Sequence, residues 1–124
     1  MKNIENILKT LRNDLYENQS TKGPLQFFQT SVLHFTICLE IGVGTHSNKY
    51  ISYEKLCDCI PKKFGSRSTI QNILNDAVTC GYFDKDISKI DRRIKTYKFS
   101  KEFSSVVIQW VQKNYSGISN LIAA

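Results

Sequence analysis

The chain is organised around residues 65–83, which are Gly-Ser-Arg-Ser-Thr-Ile-Gln-Asn-Ile-Leu-Asn-Asp-Ala-Val-Thr-Cys-Gly-Tyr-Phe. Apolar residues recur in this stretch at the spacing of one helix face: Ile70, Ile73, Leu74, Ala77 and Val78. Ser68 followed by Gln71 predicts a capping box at the start of the helix. Gly81 predicts its end. The stretch therefore predicts one amphipathic helix that packs on a core.

The opposite face of this helix is polar and mostly uncharged. It consists of Arg67, Ser68, Thr69, Gln71, Asn72 and Asn75, with Asp76 at its edge. Gln and Asn can bond adenine edges, Arg can bond guanine, and Ser or Thr can bond phosphate or base. A helix of about 15 residues is about 22 Å long and fits a major groove about 12 Å wide. The face predicts a DNA-reading helix; the alternative is a solvent-facing helix that happens to be rich in Asn and Ser.

The length and the charge of the chain are consistent with this prediction. A chain of 124 residues predicts a single domain over residues 1–124, which can bury about two-thirds of its unfolded surface. Its net charge is +6, and residues 51–100 contain ten basic against six acidic side chains. A localised basic surplus favours a polyanionic partner. A mildly basic protein that never binds nucleic acid is the alternative.

The composition also predicts where the protein is found and what it does not bind. Residues 2–18 mix charged and apolar side chains, so they predict no signal peptide, and no apolar run is long enough for a membrane span. We expect a cytoplasmic protein with no membrane partner. Four cysteines are present, Cys38, Cys57, Cys59 and Cys80, and we expect reduced thiols. Because Cys57 and Cys59 would diverge on a helix and two further ligands at regular spacing are missing, we expect no metal. We also expect no cofactor.

The elements before the central helix are predicted from periodicity and capping. Residues 3–18 predict an amphipathic helix with a narrow apolar stripe, and residues 25–41 predict one central, buried helix. Residues 42–50 predict a loop. Ser52 predicts the N-cap of a short helix over residues 53–60. This short helix, a tight turn and the polar-faced second helix together predict a helix-turn-helix.

After Gly81 the period changes to that of strands. Residues 82–86 and 95–99 are rich in aromatic and alternating side chains, and predict a hairpin. The hairpin carries six cations: Lys85, Lys89, Arg92, Arg93, Lys95 and Lys98. A basic hairpin directly after a helix-turn-helix predicts a wing that lies on the minor groove or the flanking phosphates. Ser100 predicts the cap of a last helix.

The whole pattern predicts a mainly α chain with a small β-hairpin (α+β). A winged helix-turn-helix core over residues 25–100 is flanked by dimerisation helices over residues 1–20 and 101–124. We expect a homodimer, because one small core covers only part of the two terminal apolar stripes. The predicted interface residues are Ile4, Ile7, Leu8, Leu11, Leu15, Val107, Trp110 and Val111. The alternative folds both terminal helices back onto their own chain.

Residues 25–103 resemble the MarR family of winged-helix transcription regulators. Residues 68–83 resemble the family's recognition helix and its exit at a glycine. Asp91-Arg92-Arg93 followed by Phe99-Ser100 resembles the family's wing and the step into its next helix. The resemblance implies a homodimer on a pseudo-palindromic operator. It also implies release of DNA by a small phenolic or lipophilic effector, or by cysteine oxidation in some branches.

The chain departs from the family at several positions. Only 24 residues follow Ser100, where the family often has two helices. Lys85 stands where Arg is common. No residue matches a ligand-binding motif, so the identity of a small-molecule effector does not carry over.

We therefore expect a sequence-specific regulator of transcription that binds double-stranded DNA. The predicted DNA contacts are Lys62, Lys63, Ser66, Arg67, Ser68, Thr69, Gln71, Asn72, Asn75, Lys89, Arg92, Arg93 and Lys95. The alternative is a winged-helix module for protein interaction, or for replication or phage assembly, without operator recognition. An enzyme is not expected, since neither histidine lies beside a plausible nucleophile and a phosphate loop is lacking.

Overall fold

The computed structural model describes the backbone of residues 2–123 and the side chains of residues 3–115. Its helices are α1 (Lys2–Ser20), α2 (Pro24–Phe28), α3 (Val32–His46), α4 (Tyr53–Cys59), α5 (Arg67–Thr79) and α6 (Lys101–Ala123). The strands β1 (Ile51–Ser52), β2 (Phe83–Ile87) and β3 (Lys95–Phe99) form an antiparallel sheet in the order β1-β3-β2. The prediction of a mainly α chain with a winged helix is confirmed.

The helix-turn-helix forms as predicted. Ser52 caps α4 by accepting a hydrogen bond from the backbone N–H of Lys55. A single 3-10 turn, Lys62–Phe64, connects α4 to α5. Four side chains of this motif are buried between its helices and the core: Cys57, Ile60, Ile70 and Leu74. A Cβ at Gly65 would overlap Cδ2 of Leu33, so a larger residue in the turn would force that side chain to move.

An aromatic cluster joins the sheet to the helices. Phe83 and Phe99 are paired residues of β2 and β3, so both point to the same face of the sheet. Their rings pack against Phe103 of α6, with ring centroids 4.9 Å apart for Phe99 and Phe103. Phe27 and Phe28 of α2 extend the same core. This cluster attaches the wing rigidly to the helical part of the chain.

Three predictions about element boundaries are wrong: the cap of α5, the single helix over residues 25–41 and the loop over residues 42–50. Ser66, not Ser68, caps α5, since its side chain accepts a hydrogen bond from the Thr69 N–H at 3.2 Å. The helix predicted over residues 25–41 is two helices, because Ser31 caps a new helix through the N–H of His34. Ser side chains compete with helical backbone bonds in this way.

The loop predicted over residues 42–50 is helical in its first half. The glycines there serve close packing instead of a turn: a Cβ at Gly42 would lie 2.8 Å from Cζ of Phe99. A Cβ at Gly44 would lie 2.7 Å from the carbonyl oxygen of Lys49. Strand β1 was not predicted, since two residues are too short for a periodic signal.

The terminal helices contact each other within the chain. Trp110 of α6 is 8% exposed, and its indole N–H donates a 2.7 Å hydrogen bond to Oδ2 of Asp14 in α1. Trp110 therefore packs within its own chain, and its assignment to a dimer interface stays a prediction. The other predicted interface residues divide by exposure: Ile4, Leu8, Leu15 and Val111 are exposed, and Ile7, Leu11 and Val107 are half-buried. Among the described residues, no helix combines the length and apolar character needed to cross a membrane.

Candidate nucleic-acid interface

The outer face of α5 is polar along its length. Ser68, Thr69, Asn72 and Asn75 are exposed and Gln71 is half-buried. The opposite face is buried in the core through Ile70, Ile73, Leu74 and Ala77. The side chains that were predicted to read bases therefore lie on one solvent-facing surface of a helix whose other side is held by packing.

Two amides on this face are paired. Gln71 Nε2 donates a 3.1 Å hydrogen bond to Oδ1 of Asn75, one turn along the helix. Such pairs stabilise a helix modestly and limit the rotamers of both side chains. Asn72 makes no side-chain hydrogen bond within the described part of the chain, so its amide offers both a donor and an acceptor to a ligand.

The N-terminal end of α5 concentrates groups that favour anions. The Ser66 hydroxyl lies 3.1 Å from the Ser68 hydroxyl and 2.8 Å from that of Thr69. Lys62 and Lys63 are exposed in the turn just before it. A surface pocket of about 290 Å³ opens here between α4 and α5. Because a helix N-terminus also presents backbone N–H groups and a positive dipole, this end suits a phosphate group.

Arg67 has a partner within the chain that the sequence did not reveal. Its Nη2 lies 2.6 Å from Oε2 of Glu54 in α4. Its guanidinium carbon lies 5.4 Å from the ring centroid of Tyr53, whose hydroxyl donates to the Arg67 carbonyl. The bond to Glu54 raises the pKa of Arg67 further, so the guanidinium stays charged. Thirteen residues separate Arg67 from Glu54, so only the α4–α5 crossing brings them together.

The wing carries the predicted cations, but they differ in availability. Lys98 lies 3.4 Å from Asp86 and over the ring of Tyr50. Arg93 is held by Asp91, with Nη2 3.0 Å from Oδ2, and this bond lowers the pKa of Asp91. In contrast, four exposed cations form no ion pair within the described residues: Lys85, Lys89, Arg92 and Lys95.

The backbone at the wing tip is hydrogen-bonded. The N–H of Ser88 donates to the carbonyl of Ile94 at 2.8 Å. The Ser88 hydroxyl accepts from the N–H groups of Ile90 and Asp91, at 3.2 and 3.4 Å. Asp91 accepts from the backbone N–H of Arg93 at 3.0 Å. Sequence reasoning missed Ser88, although a serine that begins a turn is a common signal for such a bond.

A short turn couples α5 to the wing. Gly81 has φ of 80°, a conformation that favours glycine, and it reverses the chain at the end of α5. The N–H of Tyr82 donates to the carbonyl of Ala77 at 2.8 Å, and the N–H of Ser100 donates to the carbonyl of Tyr82 at 2.9 Å. These bonds join the end of α5 to the base of the wing.

No family model and no curated protein matches the sequence. Several solved structures have a similar fold. FabT of Streptococcus pneumoniae, solved in complex with DNA, is 16% identical with a TM-score of 0.57, over 99% of this chain and 82% of that chain. The transcriptional regulator SlyA is 17% identical with a TM-score of 0.52, over 98% of this chain and 75% of that one.

The transcriptional regulator BldR of Sulfolobus solfataricus is also 17% identical, with a TM-score of 0.50, over 96% of this chain and 76% of that chain. These regulators belong to the MarR family. At such identities the likeness shows the fold, so the predicted resemblance is confirmed at the level of the fold.

Proposed function

We propose that this chain is a MarR-type transcriptional regulator that binds a specific site on double-stranded DNA. In this proposal α5 lies in the major groove, and the wing lies on the minor groove or the flanking phosphates. The observation that carries it is the mostly uncharged polar face of α5, joined by one tight turn to a hairpin with four exposed cations that form no ion pair within the described residues. FabT, a protein of similar fold, was solved in complex with DNA, which supports DNA as the partner.

The exposed residues of α5 divide into two roles. The amides of Gln71, Asn72 and Asn75 lie along the helix and suit base edges, because each can donate and accept together. The groups at the helix start suit phosphates: Lys62, Lys63, Ser66, Ser68 and Thr69. Phosphate contacts position the protein, and the amides supply the discrimination between sequences.

The wing supplies cations of two kinds. Lys89, Arg92 and Lys95 are available for the backbone or the minor groove. Arg93 is bound to Asp91, so we assign it to holding the shape of the tip. Arg67 is similarly bound to Glu54, and it reaches a base only if that ion pair opens.

We further propose a homodimer on a pseudo-palindromic site. The exposed apolar residues of α1 include Ile4, Leu8 and Leu15, and those of α6 include Ile108, Val111 and Tyr115. Because α1 and α6 contact each other, these residues lie on two neighbouring helices of the fold. Burial of these helices against a second copy would place two recognition helices about 34 Å apart, one DNA turn.

Selection of bound sites from random duplexes tests the proposal directly. We expect enrichment of one sequence with two related half-sites about 10 base pairs apart. The affinity for it should fall with salt, at a slope near −0.9 per phosphate contact and about 6 to 10 contacts per dimer. Salt-dependent binding without any enriched sequence would favour a winged-helix module that does not recognise an operator. A flat salt response would contradict DNA binding itself.

A further inference from the structure

The tip of the wing presents an apolar side chain to solvent. Ile90 is 98% exposed, and it lies between two other isoleucines of the hairpin, Ile87 and Ile94, which are 54% and 43% exposed. A single exposed apolar residue is ordinary on a protein surface. Ile90 is distinguished by its position at the end of a hairpin and by the charges beside it.

The backbone holds Ile90 at that end. Its N–H donates to the hydroxyl of Ser88 at 3.2 Å, and the next N–H, of Asp91, donates to the same oxygen at 3.4 Å. Asp91 in turn binds both the backbone and the guanidinium of Arg93. A tip that is already ordered loses little conformational freedom on binding. The same bonds direct the residue between them away from the rest of the chain.

Cations flank Ile90 on both sides. Lys89 precedes it and Arg92 follows two residues later, both exposed and neither in an ion pair within the described residues. The tip of the wing therefore combines one exposed apolar side chain with a positive charge on each side of it. The matching surface has an apolar interior between two rows of anions, which is the chemistry of stacked base pairs between the phosphate backbones of the minor groove.

We infer that Ile90 is a wedge that enters the minor groove beside the recognition site, partly unstacks one base step and bends the DNA. This inference rests on the proposed function. Isoleucine is among the side chains that kink duplexes in this way. Pyrimidine–purine steps such as TA unstack most readily, so the wing selects a deformable step at the flank of the site. The wing thereby contributes specificity without hydrogen bonds to bases.

Two further observations favour DNA over other surfaces with a negative charge. The wing follows α5 after a turn of three residues, so the base of the wing lies beside the end of the helix proposed to read bases. Phe83 and Phe99, at the base of the wing, are buried in the same core as α5. A duplex held by α5 is therefore the partner that the tip is built to meet.

The test compares four proteins on the duplex obtained from the selection, with 2-aminopurine placed in turn at each flanking step. The proteins are the wild type, Ile90→Ser, the conservative Ile90→Met and the matched control Ile87→Ser, which removes an exposed isoleucine from the arm. End-to-end energy transfer measures bending, and 2-aminopurine fluorescence measures unstacking. Replacement of a flanking TA step by AA tests the selection of deformable steps.

We expect the wild type, Ile90→Met and Ile87→Ser to bend the duplex and to raise the fluorescence several-fold at one step. Ile90→Ser should lose both signals and keep the salt slope, since no cation has changed. The AA replacement should lower the DNA affinity of the wild type several-fold and leave the affinity of Ile90→Ser unchanged.

Specific binding with equal bending and fluorescence for the wild type and Ile90→Ser would overturn the inference alone. A protein that binds no duplex would overturn the proposed function and the inference together. The last arm measures binding of the wild type and Ile90→Ser to vesicles of phosphatidylserine and phosphatidylcholine. Loss of vesicle binding in Ile90→Ser, with unchanged DNA bending, would reassign the tip to a lipid surface and overturn the wedge.

Discussion

The indole N–H of Trp110 donates a 2.7 Å hydrogen bond to Oδ2 of Asp14, which lies 96 positions earlier in the chain. Asp14 is 5% exposed and also accepts from Asn18 at 3.0 Å, with Nζ of Lys113 3.5 Å from its other oxygen. A buried carboxylate without such partners is costly. This cluster therefore determines how α1 lies on α6.

Replacement of Trp110 should destabilise the chain measurably. Trp110→Phe keeps an aromatic ring but removes the N–H donor, so the buried carboxylate of Asp14 loses one partner. We expect a loss of about 1–3 kcal/mol in the free energy of unfolding, measured by urea denaturation. Gln109→Ala, an exposed change on the same helix, is the matched control and should have little effect. An unchanged free energy in Trp110→Phe would show that the remaining partners of Asp14 suffice.

The dimer interface should lie on the exposed apolar residues of α1 and α6. Leu8→Glu and Val111→Glu each place a charge on that surface, where burial against a second copy would desolvate it. We expect sedimentation of the wild type as a dimer at micromolar concentration and of both variants as monomers. Asn6→Glu adds the same charge at an exposed polar position of α1 and should leave the dimer intact. A wild type that sediments as a monomer would contradict the palindromic site.

The recognition helix and the wing should differ in what they contribute to DNA binding. Gln71→Ala and Asn72→Ala remove groups that suit base edges, so each should lose about 1–3 kcal/mol of discrimination between cognate and altered sites. Lys89→Ala and Arg92→Ala remove cations, so both should weaken all duplexes alike and reduce the salt slope. The measurement is affinity across a panel of single-base variants. Identical behaviour of the two pairs would refute this division of roles.

Glu54 should oppose any contact of Arg67 with DNA. Glu54→Gln removes the carboxylate 2.6 Å from the guanidinium, so Arg67 becomes free to approach a base or phosphate. Relative to the wild type, we expect the affinity of Glu54→Gln to increase more for the cognate site than for unrelated duplexes. Asp58→Asn removes an equal charge from the exposed side of α4. It therefore measures how much the DNA affinity rises from the loss of one negative charge alone. If the two variants gain equally on all duplexes, Arg67 acts only in holding α4 to α5.

His34 should make stability dependent on pH in the mildly acidic range. Burial lowers the pKa of His34 below its ordinary value of 6.5, with a smaller opposing effect of Asp76. The unfolded chain then binds the proton more readily, so the stability present above pH 6.5 is lost as the pH falls below it. His34→Gln should flatten this part of the profile, as measured by urea unfolding at several pH values. A profile identical to that of the wild type would contradict the assignment.

Local periodicity was sufficient for the elements that form the proposed DNA surface. The apolar residues of α5 repeat at helical spacing, which decides which face is buried and therefore which polar residues are exposed. The aromatic and alternating side chains of residues 82–86 and 95–99 predict the wing in the same way. In both elements the signal lies within about a dozen residues, so no distant contact was needed to predict them.

Only the tertiary structure decided what each buried face packs against. Trp110 belongs to a regular apolar stripe, and the stripe is the same whether it meets α1 of its own chain or a second copy. Arg67 is a free base-reading residue by sequence, and the crossing of α4 and α5 places Glu54 against it. Gly42 begins a predicted loop by sequence, whereas the structure places it inside a helix, where a Cβ would lie 2.8 Å from Cζ of Phe99. Periodicity shows that a face is buried. The residue that packs against that face is distant in the sequence, and the two come close only when the chain has folded.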